Sequence, residues 1–207
     1  MKRGLLAALA VALLAANLIL PDYYEANMVE KRANESAMLD ILGESRTVIA
    51  RALWFKMNLY HEMHEDRQTA DDVNQEMPLM RLVSLLDPSF VDAFENIAWD
   101  LWKGHNQADQ ALGILDEGLA QNPGQARLLI LKALILISKK RYHDAATAGH
   151  EALRRATDEF DRLDAGRVAL RAYQELGDKT GQRQVLIQLL EVRPDDPHWL
   201  RLLHDLN

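Results

Sequence analysis

Proline residues recur in this 207-residue chain at an interval that indicates a repeating unit of about 35 residues. Pro88 and Pro123 are 35 residues apart, and Pro123 and Pro194 are 71 residues apart, which is two further units. Each proline follows an apolar stretch with helical spacing, and proline ends a helix because it lacks the amide donor. A period of this length predicts repeated helical hairpins, each of which buries its apolar face against its neighbours.

The units share a register of small and large side chains. Small residues at matching positions would let two antiparallel helices approach closely, and large apolar residues between them would fill the core. The first halves of the units contain Phe94, Ile97, Ala98 and Leu101; Leu129, Lys132, Ala133 and Leu136; and Gly166, Ala169, Leu170 and Tyr173. The second halves contain Ala111, Leu115 and Gly118; Ala145, Gly149 and Ala152; and Gln182, Leu186 and Leu189. The first unit has one extra residue between Lys103 and Ala108, and about three extra residues precede Gln182 in the third.

This register resembles the tetratricopeptide repeat, in which W-x2-L-G-x2-Y is followed by A-x3-F and then by proline. The resemblance implies an all-α solenoid of helix-turn-helix repeats, with three repeats over residues 91–196. A degenerate hairpin with a long polar loop over residues 44–90 would precede them, its second helix beginning at Met77. A capping helix over residues 197–207 would follow, with Asp196 as its N-cap and with Trp199, Leu200, Leu202 and Leu203 packed inward.

The N-terminal segment has the pattern of a signal anchor. Lys2 and Arg3 precede an apolar run from Gly4 to Leu20, and small residues at cleavage spacing lie inside that run. We therefore predict an uncleaved transmembrane helix over residues 1–21 and a helical linker over 22–43, with a cleaved signal as the alternative. The positive-inside rule would place the N-terminus in the cytoplasm and the repeats in the periplasm, outside the inner membrane. Residues 53–93 also resemble bacterial repeat proteins with N-terminal anchors.

The composition excludes several classes of function. The absence of cysteine excludes disulfides and thiolate metal sites, and the net charge of −7 opposes binding to nucleic acid. With neither a glycine-rich phosphate loop nor a G-x-S-x-G motif, we predict that the protein is not an enzyme and needs no cofactor. His61 and His64 are weak candidate metal ligands, and a metal hydrolase built on them is the one enzyme hypothesis. Their spacing is one residue short of the zinc-protease motif.

In tetratricopeptide proteins the first helix of each hairpin lines a concave groove, and the resemblance assigns the groove residues by position. The predicted protein-binding residues are Glu95, Trp99, Trp102, Arg127, Ile130, Leu134, Ile137, Arg167 and Arg171, with Asp164 and Gln174 on the same face. Trp99 and Trp102 fit a core position as well as they fit a groove position.

The first helix of the second unit is apolar almost all round, from Leu128 to Ile137. Such a helix is covered on every side. Either a partner's helix or peptide covers it, with Arg167 and Arg171 pairing acidic groups of that partner, or the chain's own segment 23–42 or long loop fills the groove.

These features predict a membrane-anchored extracytoplasmic scaffold that binds partner proteins through its concave groove. The alternative is a constitutive accessory subunit of a larger inner-membrane complex. A scaffold that recruits partners would purify alone and bind them reversibly, whereas a constitutive subunit would be unstable without its complex.

Overall fold

In the computed structural model of the protein, the described residues are Gly43, 45–64 and 70–206. The predicted anchor over 1–21 and the linker up to residue 42 lie outside them. The described residues form nine α-helices and one π-helical turn, with no strand, as the all-α prediction requires. None of the helices in these ranges has the length and apolar character needed to cross a membrane. The chain divides between Asp87 and Pro88 into two compact units.

In the first unit, the described residues form a hairpin of α1 (Ser45–His64) and α2 (Ala70–Leu86). Its inward side chains are buried: Ala50, Met57, Met77, Met80, Val83 and Leu86. Helix α2 begins seven residues before the predicted start at Met77 and contains Pro78 in its interior. The prediction was wrong here because the residues before Met77 are polar and lack apolar periodicity, and because proline is most common in the first turn of a helix.

Helix α1 also has an apolar stripe on the side opposite its buried face. Val48, Phe55 and Leu59 follow one another at helical spacing, and they are 68%, 68% and 43% exposed. We call these three residues the α1 stripe. A helix with two apolar faces has a second surface that can be buried by contact with another molecule.

The second unit stacks three helical hairpins and a final helix. The hairpins are α3 (Val91–Trp99) with α4 (Ala108–Gln121), α5 (Ala126–Ser138) with α6 (Tyr142–Arg155), and α7 (Glu159–Leu176) with α8 (Lys179–Val192). Helix α9 (Pro197–Asp205) packs against α8. Helices α4 and α8 each end two residues before a repeat proline, Pro123 and Pro194. The repeated-hairpin prediction is therefore confirmed.

Neighbouring helices are closely packed at two of the predicted small residues, Gly149 and Gly118. A Cβ atom added at Gly149 of α6 would lie 3.0 Å from both the backbone nitrogen and the Cα of Ala169 on α7. A Cβ atom added at Gly118 of α4 would lie 2.9 Å from the Cγ of Phe94 on α3. Glycine at these positions therefore sets the distance between neighbouring helices.

The residues before Pro123 and Pro194 each bond to the start of their own repeat unit. The side-chain amide of Asn122 donates to the carbonyl oxygen of Pro88 at 2.8 Å. The guanidinium of Arg193 donates to Glu159 Oε1 at 3.1 Å. Both bonds join residues 34 positions apart, so they connect the two ends of one repeat unit.

The turns after α3, α5 and α7 each contain one residue in the left-handed conformation. These residues are Asn106, Lys140 and Gly177, with φ angles of 55°, 59° and 67°. After α5 the amide of Arg141 donates to the carbonyl of Leu136 at 2.9 Å, which is the bond of a Schellman cap.

The extra residue of the first unit is accommodated in a π-helical turn, Asp100–Gly104, between α3 and Asn106. The amide of His105 donates to the carbonyl of Asp100 at 3.0 Å, five residues back. A π turn holds one more residue than an α turn, so the insertion widens the end of the helix without shifting the hairpin register.

Lys140→Gly is expected to stabilise the protein by about 1 kcal/mol, because only glycine adopts a positive φ without steric cost. Chemical denaturation measured by circular dichroism would give the change in unfolding free energy. Lys140→Ala is the matched control, since it removes the same charge but keeps the strained backbone. An equal gain from both variants would contradict the explanation.

Helix α9 closes the second unit. Asp196 caps it as the sequence predicts, its carboxylate accepting from the amides of His198 and Trp199 at 3.0 and 3.1 Å. Trp199 is 4% exposed and belongs to the core cluster that includes Leu189. Leu200 was expected to pack inward, but it is 47% exposed because consecutive residues of a helix point in different directions.

Candidate protein-binding face

The first helices of the three hairpins lie side by side in the second unit, with α5 packed against both α3 and α7. We call their outward sides the first-helix face. The predicted binding residues lie there with different exposure: Trp99 is 46% exposed; Arg127, Arg167 and Arg171 are exposed; Glu95, Trp102, Ile130 and Leu134 are half-buried; and Ile137 is 8% exposed. Ile137 is therefore largely inaccessible from this face.

Two tryptophans and a lysine form a cluster at the end of α3. The rings of Trp99 and Trp102 meet edge to face, with centroids 5.6 Å apart. The ammonium of Lys103 lies 3.8 Å from the centroid of the Trp102 ring, within cation–π distance. Because nearly half of Trp99 is exposed, that residue is a surface aromatic and does not fill the core.

The apolar helix α5 is surrounded by its own unit. It contacts α3, α4, α6 and α7. Eight of its thirteen residues are buried, and Ile130 packs against the core cluster that includes Leu129 and Leu163. The all-round apolar character of α5 therefore reflects its central place among four helices. Leu134, like Ile130, remains half-buried, so α5 keeps some apolar surface available to a partner.

Carboxylates from two helices surround one arginine where α3, α5 and α7 begin. Arg127 of α5 donates to Asp92 Oδ1 at 2.9 Å and also pairs with Glu95. Asp161 of α7 lies close enough to act electrostatically on both Glu95 and Arg127. We call Asp92, Glu95, Asp161 and Arg127 the acidic end of the first-helix face. The sequence assigned Glu95 and Arg127 to this face separately, and the fold pairs them.

The pKa values of two of these carboxyl groups are raised. Burial raises the pKa of Glu95; the ion pair with Arg127 opposes this shift, and the negative charge of Asp92 adds to it. Burial also raises the pKa of Asp161, and the charge of Asp158 raises it further. Ionisation of both groups therefore costs free energy in the folded protein.

We expect the double variant Glu95→Gln/Asp161→Asn to unfold at a higher temperature than the wild type at neutral pH. A carboxyl group whose pKa is raised by folding destabilises the fold while it is ionised, and this cost disappears as pH falls through the folded-state pKa. The advantage of the variant should therefore shrink on acidification. Thermal unfolding followed by circular dichroism across the acid range measures it. Glu191→Gln/Asp195→Asn, at exposed carboxylates outside this face, is the control. A difference that is independent of pH would contradict the assignment.

The predicted arginines of α7 have partners within the protein. Arg167 donates to Asp164 Oδ1 at 2.9 Å, one turn away on the same helix. Arg171 acts electrostatically on Tyr142, whose side chain hydrogen-bonds to Glu175. An acidic partner would therefore have to compete with Asp164 for Arg167.

Phe160 is a residue of this face that the sequence reasoning missed. It is 79% exposed, and it lies on the same side of α7 as Asp164, Arg167 and Arg171, at spacings of four, three and four residues. Helix α7 has 18 residues and α5 has 13. The extra residues of the third unit thus lengthen α7 at its start. Phe160 could have been found from the sequence, because it lies one helical turn before Asp164.

Metal ligands are not brought together in the part of the chain that the structure describes, where no three His, Cys, Asp or Glu side chains could hold an ion. His61 and His64 lie on α1, but their side chains are outside the described set. A site at these two histidines stays a weak prediction.

Comparison with solved structures identifies the fold. The chain is similar to a MamA protein, with a TM-score of 0.54 and 13% identity over 72% of this chain and 80% of that one. It is similar to PilF of Pseudomonas aeruginosa, with a TM-score of 0.57 and 19% identity over 79% and 69%. It is also similar to PilW, described as a widely conserved type IV pilus biogenesis factor, with a TM-score of 0.51 and 14% identity over 89% and 78%.

These neighbours are tetratricopeptide-repeat proteins, so the fold predicted from the register is shown. No family model matches the chain. No curated protein matches it in sequence.

Proposed function

We propose, from the tetratricopeptide-repeat fold, that the protein is a non-enzymatic scaffold that binds partner proteins on its first-helix face. The observation that supports this proposal most is the exposure of two large aromatics, Trp99 and Phe160, on the outward sides of α3 and α7. Exposed aromatics beside charged groups are typical of the residues that contribute most to binding at protein interfaces. Helix α5 lies between these two helices and adds the half-buried Leu134.

We also propose that the scaffold is anchored in the bacterial inner membrane by a single helix over residues 1–21. The basic residues before the apolar run support a cytoplasmic N-terminus and a periplasmic repeat domain. Expression of the full chain with a reporter fused after Asn207 tests this topology. Periplasmic reporter activity in the membrane fraction is the expected result, and cytoplasmic activity would reject it.

The α1 stripe favours a second candidate function, that of a constitutive subunit in a larger inner-membrane complex. Val48, Phe55 and Leu59 are exposed apolar side chains at helical spacing on one side of a folded hairpin. Permanent interfaces are more apolar than transient ones and resemble a protein core cut in two. In this alternative the α1 stripe, rather than the first-helix face, would hold the partner.

Trp99→Ala/Phe160→Ala is expected to lose at least about 90% of specifically bound partner protein in a membrane-fraction pull-down, because a buried aromatic contributes on the order of 2 kcal/mol to an interface. Partners would be identified and quantified by mass spectrometry. The matched control is Ile187→Ala/Leu200→Ala, which removes two side chains that are each 47% exposed and lie outside the first-helix face.

The two candidates differ in which variant loses the partner. Retention of the same stoichiometric set by Trp99→Ala/Phe160→Ala, together with its loss from Val48→Ser/Phe55→Ser, would support the subunit instead. Circular dichroism of each variant would establish that the repeats remain folded.

A further inference from the structure

The acidic end has more negative charge than its own structure needs. Asp92 and Asp161 lie in the first turns of α3 and α7, where a carboxylate stabilises the positive end of the helix dipole. Glu95 is one turn further into α3, so the dipole does not account for it. Among the residues that the structure describes, Arg127 is the cation that acts on these three carboxylates, and burial raises the pKa of Glu95 despite its ion pair. A second cation at this position would therefore be attracted.

Exposed aromatic side chains lie on the same face, within one helical turn of these carboxylates along the chain. Trp99 lies one helical turn beyond Glu95 on α3 and is 46% exposed. Phe160 precedes Asp161 on α7 and is 79% exposed. A ligand that covers both aromatics would place its own groups within reach of the acidic end. Such a ligand needs apolar and cationic groups together.

The charge of the protein argues against binding of its own chain, or of a second copy, to the first-helix face. Residues 22–42 contain five acidic and two basic side chains, so this segment has the same sign of charge as the acidic end. A second copy of the chain brings a net charge of −7. Like charges brought together disfavour both occupants. An occupant of opposite charge must come from another molecule.

We propose that the first-helix face binds a cationic amphipathic segment of another protein. Its Lys or Arg side chains lie against Asp92, Glu95 and Asp161, and its apolar side chains cover Trp99 and Phe160. This inference rests on the proposed function and names the chemistry of the partner.

The test uses two fluorescein-labelled peptides of about 15 residues, long enough as helices to cross two neighbouring helices. Both have leucine at positions i, i+3, i+4 and i+7; one has lysine at the remaining positions and the other has glutamate. Fluorescence anisotropy with the purified full-length protein in detergent measures each dissociation constant. The lysine peptide is expected to bind at least tenfold more tightly than the glutamate peptide.

Charge variants locate the binding site. Glu95→Gln/Asp161→Asn is expected to weaken binding of the lysine peptide about tenfold, whereas Glu191→Gln/Asp195→Asn, with the same loss of charge elsewhere, should change it less than about twofold. Equal weakening by both pairs would show only general attraction to an acidic protein and would overturn the inference. Tighter binding of the glutamate peptide, or no binding of the lysine peptide, would also overturn it.

Pull-down of the natural partner with both double variants distinguishes this inference from the proposed function. If pull-down partners are lost with Trp99→Ala/Phe160→Ala but kept with Glu95→Gln/Asp161→Asn, the scaffold function stands and the cationic partner is rejected. If both variants keep every partner, the hypothesis that the first-helix face binds partner proteins is rejected.

Discussion

Gly149→Leu is expected to lower the free energy of unfolding by about 3 kcal/mol, because the new side chain has no space between α6 and α7. Even its Cβ would lie 3.0 Å from the backbone of Ala169. Backbone atoms in a packed helix cannot move aside as the end of a flexible side chain can, so the two hairpins must separate. Urea denaturation followed by circular dichroism measures the loss.

A pair of identical substitutions isolates the packing effect. Gly113 lies within α4, and apart from the backbone of its own helix and its chain neighbours, no atom of the described residues lies within 4 Å of a Cβ added there. Gly113→Ala should therefore stabilise the protein by about 0.5–1 kcal/mol through helix propensity alone. Gly149→Ala makes the same chemical change at the crowded site and should destabilise it. A stabilising Gly149→Ala would show that α6 and α7 can separate at little cost.

Trp199→Ala is expected to destabilise the protein by about 3–4 kcal/mol, the usual loss for a large aromatic removed from a core. Trp199 is 4% exposed and packs in the cluster that contains Leu186 and Leu189. Its loss would leave a cavity beneath α9 and expose the end of the repeat stack. Because a repeat array needs its terminal helix for solubility, we also expect the variant to aggregate on heating.

The neighbouring position is the control for this prediction. Leu200 is 47% exposed on the same helix, so Leu200→Ala should change the unfolding free energy by less than about 1 kcal/mol. Equal losses for the two variants would indicate that α9 contributes through helix formation rather than through the tryptophan. Thermal and urea unfolding of both proteins under one set of conditions would decide between these explanations.

The binding face shows how far residue positions can be taken from a repeat pattern. The register assigned Glu95, Trp99 and Arg127 to outward positions, and all three have exposed or half-buried side chains there. It also assigned Ile137, which is 8% exposed because α5 contacts four helices. The position within a repeat sets the direction of a side chain, but the neighbouring helices decide whether it stays accessible.

The electrostatics of the face could not be obtained from the sequence. Arg127 is 32 residues from Glu95 and 34 residues from Asp161, and only stacking of α3, α5 and α7 brings the three groups together. The sequence suggested that Arg167 would receive acidic groups of a partner. The structure places Asp164 beside it, and the surplus charge at the other end of the face is negative.

The sequence by itself determined the local structure of the repeats. Three features of the sequence were sufficient: the prolines two residues after α4 and α8, the small residues at the helix contacts, and Asp196 before α9. They act through hydrogen bonds and steric clashes between residues that are a few positions or one repeat period apart. Those effects do not depend on the other contacts of the chain, so the sequence pattern was sufficient to predict the repeat helices and their ends.

Only the tertiary structure decided which apolar side chains remain exposed and which charges meet. Val48 and Phe55 are as apolar as the core residues of α1, yet they lie on its outer side because α2 packs against the opposite face. Phe160 is exposed because the additional first turn of α7 lies ahead of the shared register. Burial and charge pairing depend on the distances between helices that are far apart in sequence, and residue types alone do not specify those distances.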